Sequence, residues 1–201
     1  MKKNGNGNGR RSPRKIPVAL DLHEQQQLLS QMEPADTLRK LRNLTMLRVL
    51  LNCGLRSAEL CTLKIKNIDF KNGMMKVLGK GNKERILWIG DDDLLLIQKW
   101  LEKRPGGSPL VFTSLDGSRP ICSRWLRKLL PNLAEKAGID KRVHVHTCRH
   151  SFASDLLRQT KNLFLVSQAL GHTNVATTQV YLHLVPGELA RAMRELRNEN
   201  S

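Results

Sequence analysis

Residues 52–60 read Asn-Cys-Gly-Leu-Arg-Ser-Ala-Glu-Leu, and they predict where one helix ends and the next begins. Gly54 suits a helix end because glycine adopts left-handed backbone angles without steric cost. Ser57 is a preferred N-cap residue, and Glu59 would then lie in the first turn of the second helix. Arg56 is therefore expected in the turn between two helices.

The segment before this turn predicts an amphipathic helix that starts near Asp36 and ends near Cys53. Apolar side chains recur in it at helical spacing, at Leu38, Leu41, Leu44, Leu47, Val49 and Leu51. Basic and polar side chains fill the other face, at Arg39, Lys40, Arg42, Asn43 and Arg48. The pattern is that of a helix with one apolar face and one polar face.

After the turn the sequence predicts a β-hairpin. Residues 74–78 and 85–89 are rich in strand-forming side chains. Residues 79–84, Gly-Lys-Gly-Asn-Lys-Glu, supply turn conformations between them. Lys80 is expected at the start of this turn.

The rest of the chain is expected to be helical. Further helices are predicted at 91–101 and 123–136, after the candidate caps Thr147 and Asn162, and from about residue 174, with Tyr181 near its end. Gly171 is expected to end the helix that Asn162 begins. The predicted fold class is mainly α with one small antiparallel β-sheet (α+β), in one compact domain.

The charge of the chain indicates a polyanionic partner. Lys and Arg outnumber Asp and Glu by 34 to 18 in 201 residues, which gives a formal charge of +16. Nucleic acid is the leading candidate. No apolar run approaches the ~18 residues of a membrane-spanning helix, and the N-terminus lacks a signal-peptide core. We therefore expect a soluble, cytoplasmic protein that binds nucleic acid.

Residues 1–15 form a basic arm in sequence, with Gly and Asn alternating in its first half. Its basic side chains are Lys2, Lys3, Arg10, Arg11, Arg14 and Lys15. Such a composition cannot bury apolar surface, so the arm is expected to be flexible. It can lie along DNA phosphates, or it can be a solubilising tail.

The four cysteines lack CxxC pairing and metal-ligand spacing with His, so reduced, packed thiols are expected.

Taken singly, the candidate catalytic residues each have an ordinary structural explanation. Arg56 can be a cation at a helix end, and Lys80 a solvated charge in a turn. His146 can be a capping or core histidine, and Tyr181 a core aromatic with a bonded hydroxyl. Together they are the groups that phosphodiester transfer needs: a nucleophile, cations for the non-bridging oxygens and an acid for the leaving alkoxide.

Five strings of this sequence closely resemble the catalytic half of Xer-type tyrosine recombinases and phage integrases. They are Gly-Leu-Arg-Ser-Ala-Glu-Leu (54–60), Gly-Lys-Gly-Asn-Lys-Glu-Arg (79–85), His-Thr-Cys-Arg-His (146–150), Leu-Gly-His (170–172) and Thr-Thr-Gln-Val-Tyr (177–181). The resemblance covers about residues 35–185 and includes all six catalytic positions of the family, in the family's order. It implies a site-specific recombinase that cleaves and rejoins double-stranded DNA.

The resemblance assigns a role to each position. Arg56 and Arg149 would hold the non-bridging oxygens of the scissile phosphate, since a guanidinium offers paired donors and stays charged. His172 would donate another hydrogen bond to that phosphate. His146, three residues before Arg149 on the same face of a helix start, would assist proton transfer. The hydroxyl of Tyr181 would attack phosphorus and form a 3′-phosphotyrosyl link.

The remaining assignments concern the leaving group and the support of the site. Lys80 would protonate the departing 5′ oxygen, with neither metal nor nucleotide cofactor required. Glu59 and His150 resemble supports that orient Arg56 and the pocket. Lys83 and Arg85 of the hairpin are expected to contact DNA, together with the basic arm.

The sequence also departs from the family pattern. Cys148 stands where relatives commonly have Leu, which is expected to change packing only. The helical DNA-clamping domain that usually precedes the catalytic half does not occur in these residues. A natural protein that consists of the catalytic domain alone would have such a sequence, and so would a longer protein that had been shortened.

The expected organisation is therefore a basic arm at 1–15, a catalytic domain at 16–185 and a helical tail at 186–201. Leu189, Met193 and Leu196 form a narrow apolar stripe in that tail. The tail can dock on a neighbouring protomer, as the tails of relatives do, or pack on its own domain. We expect a homotetramer on two DNA sites, a monomer when free, and association with the nucleoid.

Other functions fit parts of the sequence. A type IB topoisomerase shares the phosphotyrosine chemistry, but the strings at Arg56, Lys80 and Tyr181 favour recombination. A DNA-binding module without catalysis would explain the charge alone. An inactive regulatory relative is disfavoured because the six catalytic positions are all filled.

Overall fold

The structure is a computed structural model, and it describes residues 17–79, 84–172 and 177–184. In chain order the helices are α1 Leu22–Ser30, α2 Leu38–Cys53, α3 Ser57–Cys61, α4 Asp91–Lys103, α5 Ser123–Lys136, α6 Val145–Thr160 and α7 Leu163–Leu170. The strands are β1 Ile68–Asp69, β2 Met74–Leu78 and β3 Glu84–Trp88, and short 3-10 helices lie at Ile65–Asn67 and Gln179–Leu184. The predicted class, mainly α with one small antiparallel sheet, is confirmed.

Helix α2 forms the centre of the main core, where it packs against α4 and α6. The expectation of one solvated face was wrong for much of this helix, because Arg42 and Asn43 are only 5% and 4% exposed. The Arg42 guanidinium lies 4.5 Å from the ring centre of Trp125, and its Nη1 donates to the Thr113 carbonyl at 3.2 Å. Long polar side chains can therefore line a buried helix where the neighbouring segments supply acceptors and an aromatic face.

The sheet has the order β1-β2-β3 and is antiparallel throughout. The predicted hairpin is confirmed, with Met74 opposite Trp88 and Leu78 opposite Glu84. Strand β3 begins and ends one residue earlier than expected, and β1 was not expected because it is only two residues long. The turn between β2 and β3, which contains Lys80 and Lys83, lies outside the described residues.

Two expected helix starts are corrected by the hydrogen bonds at the caps. Arg56, not Ser57, caps α3, and its backbone N–H donates to Glu59 Oε2 at 2.7 Å. His144, not Thr147, caps α6, and its Nδ1 accepts the Thr147 N–H at 3.0 Å. In both cases the side chain three positions after the cap accepts a hydrogen bond from the backbone N–H of the cap residue. At His144 both hydrogen bonds of a capping box are present, whereas the Arg56 side chain has no acceptor and cannot form the second one.

Other helix ends agree with the sequence. Asn162 caps α7 as expected, and Gly54 and Gly171 end α2 and α7 with φ of 59° and 62°. Helix α1 was not expected, although Asp21 and Glu24 form a capping box at its start. Such a box is short and common in sequence, so it does not predict a helix unless an apolar pattern follows it.

A second, smaller core lies beneath the end of the described chain. It contains Ala153 and Leu157 of α6, Val166 and Leu170 of α7, and Tyr181. The segment expected to carry Tyr181 is described from residue 177, and Tyr181 lies there in a 3-10 helix. The 1–15 arm and the 186–201 tail lie outside the described residues. Across the described ranges, no helix has the length and apolar character needed to cross a bilayer.

Candidate active site

Arg56 lies in the turn between α2 and α3, as the sequence predicted, and Glu59 holds it there. Its Nη1 donates to Glu59 Oε1 at 2.8 Å, while its backbone N–H donates to Oε2 of the same carboxylate. The Arg56 side chain remains 32% exposed. Among the described residues its guanidinium bonds to Glu59 alone, so donors remain for an anion.

Glu59 is a buried carboxylate between two arginines. Burial by itself would raise its pKa, but the hydrogen bonds from Arg85 and Arg56 outweigh burial and lower the pKa to about 2. Both terminal nitrogens of Arg85 donate to this carboxylate at 2.8 Å. Glu59 therefore stays charged and fixes the turn that carries Arg56.

Arg149 reaches the same region from α6. Its Nη1 donates to the Gly54 carbonyl at 2.7 Å, and its Nη2 donates to the Leu170 carbonyl. The same Nη2 lies 3.5 Å from His172 Nε2. Burial, together with the nearby charge of Arg56, lowers the pKa of Arg149 to about 10, so the group is still charged at neutral pH. The carbonyl ends of α2 and α7 hold this guanidinium in place.

His172 follows the end of α7 and is oriented by a buried hydroxyl. Its Nδ1 lies 2.9 Å from Thr178 Oγ1, which leaves Nε2 toward Arg149. Burial, and then the positive charges of Arg149 and Arg56, lower the pKa of His172 to about 4. Its ring is therefore neutral at neutral pH and can donate one hydrogen bond to an anion.

Tyr181 is 3% exposed, and its hydroxyl is hydrogen-bonded to Nδ1 of His150. Burial raises the pKa of Tyr181 to about 12, although the charge of Arg149 opposes the rise. Burial, with the charges of His146 and Arg149, lowers the pKa of His150 to about 4. The hydroxyl thus keeps its proton in the free protein, beside a neutral imidazole that can accept it.

His146 stands at the first turn of α6, with an exposed side chain. Its ring centre lies 6.0 Å from that of His144. Partial burial, and then the nearby His144 and Arg149, lower its pKa. His146 is therefore in the field of the same cations as the other site residues, on the side open to solvent.

The structure brings together the predicted residues Arg56, Arg149, His172, Tyr181, His146, Glu59 and His150. Lys80, Lys83 and the arm residues lie outside the described part of the chain. The placement of Arg85 argues against its expected contact with DNA, since its side chain is only 9% exposed and is bonded inside the protein. Its strand position gave a signal: residues 85, 87 and 89 share one face, and Leu87 and Ile89 are buried.

Two supports were not found from the sequence. Thr178 orients His172, and His144 caps the helix that carries Arg149. Thr178 lies within the string 177–181, and His144 lies two residues before His146. Closeness in sequence to the predicted catalytic residues was the only signal that could have indicated either support.

Comparison with known proteins identifies the family, since residues 19–188 match the model of the phage integrase family. The chain belongs to the phage integrase family. The tyrosine recombinase XerC of Xanthomonas axonopodis pv. citri is 36% identical over 184 residues, which are 90% of this chain and 59% of that protein. XerC of Haemophilus ducreyi is 37% identical over 183 residues, 89% of this chain and 59% of that protein. The chain thus spans about three fifths of these curated relatives.

Solved structures of recombinases and of an integrase have the same fold. The crystal structure of XerA recombinase superposes with a TM-score of 0.74 at 31% identity, over 94% of this chain and 66% of that one. XerH recombinase, bound to palindromic difH substrate in a post-cleavage complex, has a TM-score of 0.76 at 29% identity, over 89% of this chain and 53% of that one. The catalytic domain of bacteriophage HP1 integrase shares the fold alone, with a TM-score of 0.66 at 19% identity, over 89% of this chain and 94% of that one.

Proposed function

We propose that this chain is the catalytic domain of a site-specific tyrosine recombinase that cleaves and rejoins double-stranded DNA through a 3′-phosphotyrosyl intermediate. The observation that carries the proposal is the convergence of Arg56, Arg149 and His172 beside a tyrosine hydroxyl. Glu59 and the helix-end carbonyls orient these donors before any substrate binds. Preorganised donors of this kind stabilise the charge that develops on a phosphate during transfer.

The chemistry divides among these residues. Arg56, Arg149 and His172 bind the non-bridging oxygens, and Tyr181 Oη attacks phosphorus as the bond to the 5′ oxygen breaks. The tyrosine proton passes to a neutral imidazole, either His150, which touches the hydroxyl, or His146 on the open side. Because Tyr181 is buried, binding of DNA has to shift residues 177–184 toward the phosphate. A 5′-hydroxyl from a second strand reverses these steps and seals the exchanged product.

The surface near Arg56 supports an approach of DNA to this side of the molecule. Ser57 Oγ donates to Ser123 Oγ at 2.7 Å, which fixes the first turn of α5 beside the Arg56 turn. That turn and the next carry the exposed basic residues Arg124, Arg127 and Lys128. Cations at this spacing on one exposed face suit contacts to successive phosphates.

Covalent capture from a randomised duplex library tests the proposal whatever the target sequence is. The protein would be incubated with the library, denatured in SDS and washed, and the retained DNA sequenced. We expect the wild-type chain to retain a shared sequence and Tyr181→Phe to retain none, with non-covalent binding preserved. Equal retention by both proteins would contradict a tyrosine nucleophile.

Lys80 is proposed as the acid that protonates the departing 5′ oxygen. An alkoxide is a strong base, comparable with the conjugate base of water of pKa ~15.7, so its departure without a proton is slow. A sulfur at the bridging 5′ position leaves as a thiolate of pKa about 8.5 and needs no acid. Lys80→Ala should therefore cleave the sulfur substrate but not the normal one. Failure of this rescue, while the wild type cuts both, would assign the acid to Lys83 or His146.

The working assembly is proposed to be a homotetramer on two DNA sites, formed from free monomers on nucleoid DNA in the cytoplasm. A groove of about 1250 Å³ runs between β3, α1, α6 and α7. Trp88 and Ile86 on its rim are 72% and 53% exposed. We propose that the apolar stripe of a neighbouring protomer's 186–201 tail occupies this groove.

Deletion of the tail tests the assembly. We expect removal of residues 186–201 to leave cleavage of a single site largely intact and to abolish strand exchange between two sites. Undiminished recombination by the shortened chain would reject the proposed docking.

A further inference from the structure

The guanidinium of Arg85 lies inside the protein, although basic residues of a two-stranded hairpin commonly face solvent. Its Nη1 donates to Glu59 Oε1 and its Nη2 to Glu59 Oε2, each at 2.8 Å. Its Nε donates to the Ala169 carbonyl at 2.9 Å. All three nitrogens of the group are therefore bonded, with two in the fork geometry that arginine forms with a carboxylate.

At one end Arg85 shares the Glu59 carboxylate with Arg56. The Glu59 carboxylate accepts from both arginines, so its single negative charge is shared between two positive ones. Without Arg85, the buried carboxylate would be compensated by Arg56 alone. Arg56 would then be drawn into a closed ion pair, with fewer donors for a phosphate.

At the other end Arg85 packs on the turn that places His172. Ala169 lies in the last turn of α7, and Gly171 ends that helix with φ of 62°. A Cβ at Gly171 would lie 3.0 Å from Cδ and 3.2 Å from Nη1 of Arg85. The arginine thus occupies the space beside the glycine immediately before His172.

We infer that Arg85 is a positioning residue, which sets the spacing between Arg56 and His172 on the scissile phosphate and does not contact DNA. The inference rests on the proposed function. It follows from one side chain that bonds both to the support of Arg56 and to the helix end that carries His172. Loss of Arg85 should therefore impair the chemical step and leave DNA affinity unchanged.

The test uses Arg85→Gln and Arg85→Lys in the full chain. Arg158→Gln is the matched control, because Arg158 is 48% exposed and its one ion pair within the described ranges is with Asp155 on the same helix, α6. Single-turnover cleavage would be measured on the captured duplex, with the Kd for uncut DNA, its salt dependence and the Tm. We expect cleavage by Arg85→Gln to fall roughly 10- to 100-fold, as for other lost supports of reacting groups. The cleavage rate of Arg85→Lys should fall less, because lysine keeps the positive charge although it lacks the paired donors of a guanidinium. The control variant should cleave at the wild-type rate.

A double-mutant cycle with Arg56→Lys separates positioning from a general structural role. If Arg85 acts through Arg56, the two losses in cleavage rate will combine to less than their product. A full product of the two losses would overturn the inference. So would a fall in DNA affinity with a salt slope reduced by about one, which is the signature of a lost phosphate contact. A lowered Tm with a normal cleavage rate would also overturn it.

Failure of this inference can be told apart from failure of the proposed function. If the inference alone is wrong, the wild type forms a covalent adduct and the Arg85 variants form it at the same rate. If the wild type forms no adduct on any captured duplex, the proposed function fails and the role of Arg85 fails with it.

Discussion

Burial holds His150, His172 and Tyr181 in their neutral forms, and nearby cations add to this effect for the two histidines but oppose it for Tyr181. The pKa of both histidines is lowered to about 4, and that of Tyr181 is raised to about 12. Arg149 beside them stays charged, since its pKa is still about 10. At neutral pH the site therefore combines the positive charges of its arginines, which Glu59 neutralises only in part, with an uncharged tyrosine and uncharged imidazoles. In the proposed mechanism the DNA phosphate brings further negative charge to this site.

The lowered pKa of His150 predicts a loss of stability in acid. Its folded pKa, about 4, lies below the ordinary value of 6.5, so between these values the unfolded chain binds more protons. The stabilising contribution is complete above pH 6.5 and is lost as pH falls toward 4. After discounting for the partial exposure of the ring, a contribution of about 1 kcal/mol corresponds to about 2–4 °C in Tm.

Thermal unfolding of His150→Gln checks this expectation. The drop in Tm between pH 6.5 and pH 4 should be smaller in the variant than in the wild type. His23→Gln, on the exposed surface of α1, serves as the control and should behave as the wild type. An equal drop in all three proteins would contradict the assignment of a buried neutral imidazole to His150.

Helix ends place the site, more than helix faces do. Arg149 donates to two backbone carbonyls, one at the end of α2 and one at the end of α7. The helices that follow these ends or carry other site residues begin at the caps Arg56 and His144. The Gly54 turn is tight as well as left-handed. A Cβ there would lie 2.3 Å from Cδ1 of Phe152.

Gly54→Ala is therefore expected to destabilise the fold and disturb Arg149. Strain at φ of 59° and the clash with Phe152 add together, which predicts a loss of about 2–4 kcal/mol in the free energy of unfolding. Gly90→Ala is the matched control, because a Cβ at Gly90 meets nothing within 4 Å. Denaturant unfolding of both variants measures the difference, and similar losses in the two would refute the role given to the Gly54 turn.

Helices and strands with a strong periodic pattern were predictable from the sequence. Side-chain contacts between residues that are distant in sequence were not. The limits of α2 and of the hairpin followed from spacing and from Gly54, and the residues of the site followed from the resemblance. The burial of Arg42 did not, because it depends on Trp125 and on the Thr113 carbonyl, which are distant in sequence. The pairing of Arg85 with Glu59 depends in the same way on how the hairpin docks on α3.

The whole molecule carries a charge of +16, and six of its 34 basic residues lie in the first 15 positions. A DNA-binding surface of this kind releases counterions on binding, so affinity depends on salt. With an aromatic content of 4%, base stacking has few side chains to use. Contacts to the DNA backbone are therefore expected to dominate affinity.

Salt titration of the full chain and of a chain without residues 1–15 tests this expectation. The logarithm of affinity should fall steeply with the logarithm of salt over ~50–200 mM, and the shortened chain should show a shallower slope and weaker binding with near-normal cleavage. A variant with the six basic arm residues changed to Gln controls for length and should match the shortened chain. Flat plots would reject an electrostatic footprint, and unchanged binding without the arm would make the arm only a tail.

The proposed mechanism requires Tyr181 to become joined to a 3′ phosphate of DNA. Protease and nuclease digestion of the covalent adduct, followed by mass spectrometry of the peptide that retains a nucleotide, measures this link itself. We expect one modified peptide, with the nucleotide attached to the Tyr181 oxygen through its 3′ phosphate and a free 5′-hydroxyl on the other DNA product. A nucleotide on any other residue, or a link through a 5′ phosphate, would contradict the mechanism.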